Sequence, residues 1–168
     1  MPIALTPEHE ALADAVRQFA ARHAPVDTTR PALDALAAGQ MPSWWQDLVA
    51  NGFHAVHLAE DVGGQGGDLV DTGCVIEAAA HALLPGPLLS TAAAGAVALL
   101  ADPVPAVTML LGEPAAGATA VVVPADTANA RAVADGDGWV VTGVSAPVLG
   151  LRSATRVLVA AATDTDVL

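Results

Sequence analysis

Several short groupings in this 168-residue chain have residue types and spacings that could do chemistry. The stretch LAEDVGGQGG, residues 58–67, sets four glycines in five positions. A glycine loop cradles phosphate when backbone N–H groups converge and a lysine and a Ser/Thr follow. No lysine follows, and none occurs anywhere in the chain. The dinucleotide-binding spacing also fails, because Gly64-Gln65-Gly66-Gly67-Asp68-Leu69 has leucine at the sixth place. The loop therefore reads as a turn built on positive-φ glycines. His54 and His57 form an HxxH pair with Glu60 and Asp61 close behind. Such a pair could ligate a metal, but the segment reads as extended, where residues three apart face opposite ways, so no metal site is expected. Glu77 and His81 stand four apart on a predicted helix and can meet; a structural pair outweighs acid–base work there. Cys74 shares that helix with His81 but is not placed to contact it, so a buried thiol is the expectation. Ser90-Thr91 lies in no nucleophile-elbow pattern. No catalytic residue is assigned.

Composition narrows the remaining chemistry. Hydrophobic residues make up 54 %, enough for a sizeable core. Eighteen acids face six basic residues, all arginine, for a net charge of -12. That balance disfavours nucleic acid and anionic membrane surfaces as partners, since both demand cations. Without lysine there is no Schiff base and no P-loop contact. A single cysteine excludes an internal disulfide and a multi-cysteine zinc site. The first residues, MPIALTPEHE, lack the basic start and long apolar run of a signal peptide. Residues 78–101 are the most membrane-like, but Pro85-Gly86-Pro87 cuts them into pieces short of the ~20 residues a spanning helix needs. Two buried helices and a cytoplasmic setting are expected.

The elements that must position these residues follow from periodicity and punctuation. Thr6-Pro7-Glu8 is a helix start, with Leu12, Val16, Phe19, Ala20 and His23 on one stripe and Pro25 as the stop. A second helix is predicted from Pro31 to Ala38, closed by Gly39. Ser43 would cap a third, which includes Trp44 and Trp45; being adjacent, at most one should face the core fully. Asp68 or Asp71 starts a fourth, from Leu69 to Leu84, and Pro87 a fifth, from Leu88 to Leu100. The fifth, LLSTAAAGAVALL, is apolar all round and should be central. After Asp102 the character changes. Ala120-Val121-Val122-Val123 reads as a strand, Asp135-Gly136-Asp137 as a hairpin turn between Arg131–Ala134 and Gly138–Thr142, and Arg156–Ala161 as a further strand. Helices first and strands second predict an α+β chain: an all-α bundle over 1–118 followed by a partial antiparallel β-domain over 119–168. So few strands cannot close a core alone, so the chain is expected to be a fragment or to need a partner that finishes the domain.

The ordered set of segments resembles the acyl-CoA dehydrogenase family. Residues 42–81 are similar to its N-terminal helical domain at Gly52, Glu60, Asp61, Gly63, Gly64, Gly66 and Glu77, with Ala59 where proline is usual and Ala80-His81 where Gly-Arg is usual. LLPGPLLST, residues 83–91, looks like the form in actinobacterial members, including those of steroid side-chain degradation. DGDGWVVTG, residues 135–143, resembles the hairpin of the family's middle β-domain. The likeness runs over essentially the whole chain and makes the glycine loop a turn between helices.

The resemblance implies FAD, a CoA thioester substrate and α,β-desaturation, with a carboxylate base at the α-carbon and a hydride passing from the β-carbon to the flavin. Two departures qualify it. The sequence ends within the β-domain, before the helical bundle where the base usually lies. The flavin signatures are also degraded: Pro124-Ala125-Asp126 follows the strand in place of Thr-Glu-Pro-x-Ala-Gly-Ser-Asp, and Ala146-Pro147-Val148-Leu149 stands where Trp-Ile/Tyr-Thr-Asn/Ser is usual. Glu113-Pro114-Ala115-Ala116-Gly117 is a lookalike on the wrong side of the strand. This pattern resembles the flavin-poor partners of heteromeric members, so FAD is expected in the complete assembly and not on this chain alone. By position in the family, Thr91, Ala94 and Ala98 would line the acyl pocket; close helix packing explains their small size equally well. The alternative function is a non-catalytic scaffold that binds acyl-CoA or stabilises a true dehydrogenase subunit. A hydrolase is the weakest reading, for want of a nucleophile.

Overall fold

The computed structural model describes residues 5–100, 108, 110–113, 116–124 and 128–163. Helix α1 (Pro7–His23) starts at a capping box in which the Thr6 hydroxyl accepts from the His9 N–H at 3.4 Å and His9 Nδ1 accepts from the Thr6 N–H at 3.0 Å. Its buried stripe is Val16, Phe19 and Ala20, with the Phe19 ring stacked on His23 and edge-on to Phe53. Helix α2 (Val26–Ala37) begins five residues before the expected Pro31 and carries that proline inside. Proline commonly takes the first helical position; here the helix absorbs it and forgoes one backbone bond. Gly39 closes α2 as expected, at φ 80, with Gln40 N–H bonded to the Ala35 carbonyl and Gly39 N–H to that of Leu36.

Helix α3 (Trp45–Ala50) lacks the Ser43 cap; Trp44 holds the cap position and no side chain bonds there. Trp44 and Trp45 are both buried, against the expectation that only one could be. The short helix is enclosed by residues of α1, by Phe53 and Val56, and by helices α4 (Leu69–His81) and α5 (Leu88–Ala98), so neighbouring positions both find cover. The segment after Gly52 is likewise not extended. Gly52 turns at φ 73 and Phe53–Ala55 forms a 3-10 turn, which buries His54 and His57 together with Phe53, Ala55, Val56 and Leu58.

The glycine loop then folds back on this segment. The N–H groups of Gly63, Gly64, Gln65, Gly66 and Gly67 donate to the carbonyls of Glu60, Ala59, Ala55, Leu58 and Val56. Every amide that could have faced a phosphate is spent internally, so the loop is a turn. A Cβ at Gly64 would lie 2.1 Å from the Leu58 carbonyl oxygen, which leaves glycine as the residue that fits. Asp68 caps α4, accepting from the Val70 and Asp71 N–H groups.

The β region comprises β1 (Ala120–Val123), β2 (Ala128–Asp135), β3 (Gly138–Ser145) and β4 (Arg156–Val159). The hairpin β2–β3 is antiparallel, with Asp135 opposite Gly138. β1 and β4 pair in parallel, Ala120 opposite Arg156, an arrangement outside the antiparallel expectation because the hairpin supplies the crossover between them. Thr119 and Thr155 lock the start of that pair: each threonine N–H donates to the other's hydroxyl at 3.1 Å. A further bridge joins Arg131 to Ala162, tying β2 to the chain beyond β4. Two apolar clusters hold the molecule together. The larger unites α1, α3 and α4 around Phe19, Trp45, Leu48 and Val75. The smaller, Ala55, Leu58, Ala98 and Leu111 with Leu158 against it, joins the helices to β4. Among the described residues no helix is long and apolar enough to cross a membrane.

Candidate functional site

Helix α5 is where the helical and β parts meet. Its sequence is apolar all round, but its burial is one-sided: Leu88, Thr91, Ala92, Ala94, Gly95 and Ala98 are buried, whereas Leu89 is 50 % and Val97 44 % exposed. The expectation of an entirely central helix is corrected accordingly; the uniform pattern hid a solvent-facing side.

The buried side sits on β1. Thr91 is 1 % exposed and its Oγ1 accepts from the Ala120 N–H at 3.2 Å, fastening helix to strand. Ala94 and Ala98, at 2 % and 4 % exposure, face Leu110, Leu111, Ala120 and Leu158 across a gap too small for a water molecule. The structure thus brings Thr91, Ala94 and Ala98 together on one face, packed against protein.

Open volume lies one turn round the helix. Leu89, Ser90 and Ala93 form one wall of a groove whose opposite wall is Val121, Val122 and Pro124 on and after β1, with Pro147, Val148 and Leu149 beyond; it encloses about 290 Å³. A second hollow of about 370 Å³ shares Leu89, Ser90, Val148 and Leu149, so the two adjoin. It runs on between Leu33, Leu36 and Ala37 of α2 and the 3-10 turn Leu151–Ser153. Gly150 makes this geometry possible. It sits at φ 82, and a Cβ there would come 2.6 Å from Ser90 Oγ, so only glycine lets the 146–150 segment close over α5. Volumes of this size, with apolar walls and few polar groups, suit an apolar ligand body.

The polar inventory of the groove is short. Side chains with polar atoms are Ser90, Arg152 and Ser153, and both hydroxyls already donate to local carbonyls, Ser90 to Pro87 and Ser153 to Gly150, each at 3.1 Å. No carboxylate lines either hollow. A flavin ring needs hydrogen bonds along its polar edge; among the described residues these walls offer it apolar cover and little else, so they do not fit that group as its holder. The other sequence candidates lie elsewhere. Glu77 and His81 approach to 3.9 Å on the exposed side of α4, the weak structural pair expected. Cys74 is buried, and burial, with Glu77 and Asp71 adding to it, pushes its thiol pKa up. His54 and His57 pack in the interior, and no cluster able to hold a metal forms among the described residues. Burial lowers the His57 pKa from 6.5; the Ala92 carbonyl opposes this from nearby without reaching hydrogen-bond geometry to either ring nitrogen. Sequence reasoning missed Leu89, Ala93, Leu149 and Arg152. A usable signal existed for the last, an arginine two residues after a glycine in a chain poor in cations.

Known proteins resemble this chain in sequence and in fold. The family description "Acyl-CoA dehydrogenase, N-terminal domain" matches residues 6–102. The chain is 34 % identical over 88 residues to acyl-CoA dehydrogenase IpdE2 of Mycolicibacterium smegmatis, a match covering 52 % of this chain and 28 % of that one. Among solved structures, a variant of the Tcur3481-Tcur3483 steroid ACAD superposes with a TM-score of 0.72 at 25 % identity over 95 % of this chain and 46 % of the other. The ChsE4-ChsE5 complex of Mycobacterium tuberculosis has the same fold, with a TM-score of 0.72 at 24 % identity over 98 % and 44 %. The chain spans less than a third of that curated relative and less than half of those structures.

Proposed function

The chain belongs to the acyl-CoA dehydrogenase family through its N-terminal domain, and from that premise we propose that it serves as one part of a heteromeric or fused enzyme that desaturates an acyl-CoA thioester between the α and β carbons. The observation that carries the reading is the pair of adjoining apolar hollows along α5, one against β1 and one against α2, both free of carboxylates. It can shelter an acyl group from water, and it supplies no base. The base and the flavin's polar contacts then come from the rest of the assembly, and this chain contributes the acyl wall. Leu89, Ser90 and Ala93 touch the acyl group, and Thr91, Ala94 and Ala98, which do not line the groove, pack behind it and set how closely α5 approaches β1. The residue ranges 1–118 and 119–168 are the helical domain and the start of the β-domain. A bulky acyl group such as a steroid side chain is favoured by the volume of the groove and by a structural relative named a steroid ACAD. A two-subunit assembly is favoured by a fold relative that is itself a complex. A cytoplasmic location goes with this chemistry.

The test is flavin absorbance near 450 nm on the purified chain and on its complex with the natural partner. The expected result is no stoichiometric flavin on the chain alone and one flavin per site in the complex; stoichiometric flavin on the chain alone refutes this version. A scaffold that takes no part in turnover is the second reading, favoured by the lack of any titratable side chain except Arg152 in the groove. Filling the groove by Ala93→Trp separates the two. Loss of desaturation by the intact complex supports the acyl-binding role, and unchanged kcat/KM supports the scaffold.

A further inference from the structure

One charged side chain lines the groove, and it is a cation in a chain of net charge -12. Resting on the reading that the groove takes an acyl group, we infer that Arg152 forms an anion subsite at the α2 end of the groove, where it receives a carboxylate or phosphate carried by the ligand whose apolar body lies against Leu33, Leu89 and Leu149.

The net charge makes this demanding. An anion approaching so acidic a chain meets repulsion that salt screens only beyond about 8 Å, so any affinity for it must come from a cation at the contact. Of the chain's six arginines, Arg131 has a partner and Arg30 does not line the groove. Arg17 is paired with Asp14 at 2.6 Å, Arg156 with Glu113, and Arg22 donates to the Gln18 carbonyl. Arg152 makes no hydrogen bond or ion pair through its guanidinium among the described residues. Its side chain is exposed. The 3-10 turn Leu151–Ser153 anchors its backbone, and its stem runs along the end of α2, where a Cβ at Gly39 would lie 3.9 Å from its Cγ and 4.0 Å from its Nε. The negative end of the α2 dipole favours a cation there, and a planar guanidinium still has N–H groups to spare for a two-oxygen anion. The serines cannot substitute, because both hydroxyl protons are committed to carbonyls.

Titration calorimetry of the full-length protein with decanol, decanoate and decanoyl-CoA, for the native chain and for Arg152→Gln, tests the inference. Decanol reads the groove alone and should bind both proteins equally. Weakening of about tenfold or more in the variant for decanoate identifies a carboxylate as the anion; the same loss confined to decanoyl-CoA identifies the carrier's phosphates. Either result supports the subsite, and Arg152→Lys should recover part of the loss. Decanol binding with no change for either anionic probe overturns the subsite and leaves the groove standing. A role confined to the helix dipole also overturns it, and shows as a lowered Tm with all three probes weakened alike. Failure of decanol to bind the native protein overturns the groove reading itself, and the subsite with it.

Discussion

At the scale of residues, two buried polar side chains set the terms. Thr91 bridges α5 and β1 by accepting a hydrogen bond from the Ala120 N–H. Thr91→Val keeps the shape and removes the acceptor, leaving a buried N–H unpaired at a cost of about 1–3 kcal/mol. Urea unfolding should show that loss with an unchanged m-value. His57 acts through protonation. Its folded-state pKa lies below the usual 6.5 because burial disfavours the cation. As pH falls below the unfolded value, the unfolded chain takes up a proton that the folded chain refuses, so stability is full above about pH 6.5 and declines down to the folded pKa. Chemical unfolding at pH 7.5 and 5.5 should therefore show a smaller acid-side loss for His57→Leu than for the native chain. Equal losses would show that other groups govern the slope.

At the scale of elements, the helix ends carry most of the local information. α1 and α4 begin at capping boxes, of which the sequence announces a Thr6 cap and a start at Asp68 or Asp71, and α2 ends at a glycine. The end of α4 is the exception. Leu84 N–H bonds to the Ala79 carbonyl and Leu83 N–H to that of Ala80, the same closure as at α2, but Leu83 holds it at φ 53 with its side chain 59 % exposed. A leucine in that region is strained by about 1–2 kcal/mol, of which glycine's extra unfolded-state freedom returns about half. Leu83→Gly should raise stability by about 0.5–1 kcal/mol, read as a higher Tm with unchanged helical circular dichroism. The helix overshot in prediction, running to Leu84 where it ends at His81, because nothing in the sequence announces a left-handed leucine.

At the scale of the molecule, the two halves differ in how well they are covered. The helical half has a continuous core of buried aromatics and aliphatics. On the hairpin, Val133, Trp139, Val140, Val141 and Val144 are all about half exposed or more. Both faces of β3 are open, and apolar strands left this way invite further pairing. The chain alone is expected to self-associate as concentration rises in sedimentation velocity, and Val140→Lys with Val144→Lys should suppress this without altering Tm. A monomer at every concentration would contradict the expectation. Together with the one-sided burial of α5, this uneven cover favours a protein that contributes a wall to a larger assembly.

Neighbours in the chain announce the local events: the capped start at Thr6, a helix start at Asp68 or Asp71, the closure at Gly39, the strand Ala120–Val123, the hairpin turn, and a glycine loop unsuited to phosphate. These depend on residues within a turn or two of each other, so their signals survive in a single chain. The groove arises only on folding. LLSTAAAGAVALL carries no periodicity to say which side is buried, and the walls come from residues 33–37, 86–93, 121–124 and 147–153, far apart in the chain. Folding also decided that Trp44 and Trp45 could both be buried and that His54 and His57 could share an interior, since enclosure by α1, α4 and α5 is a property of the packing.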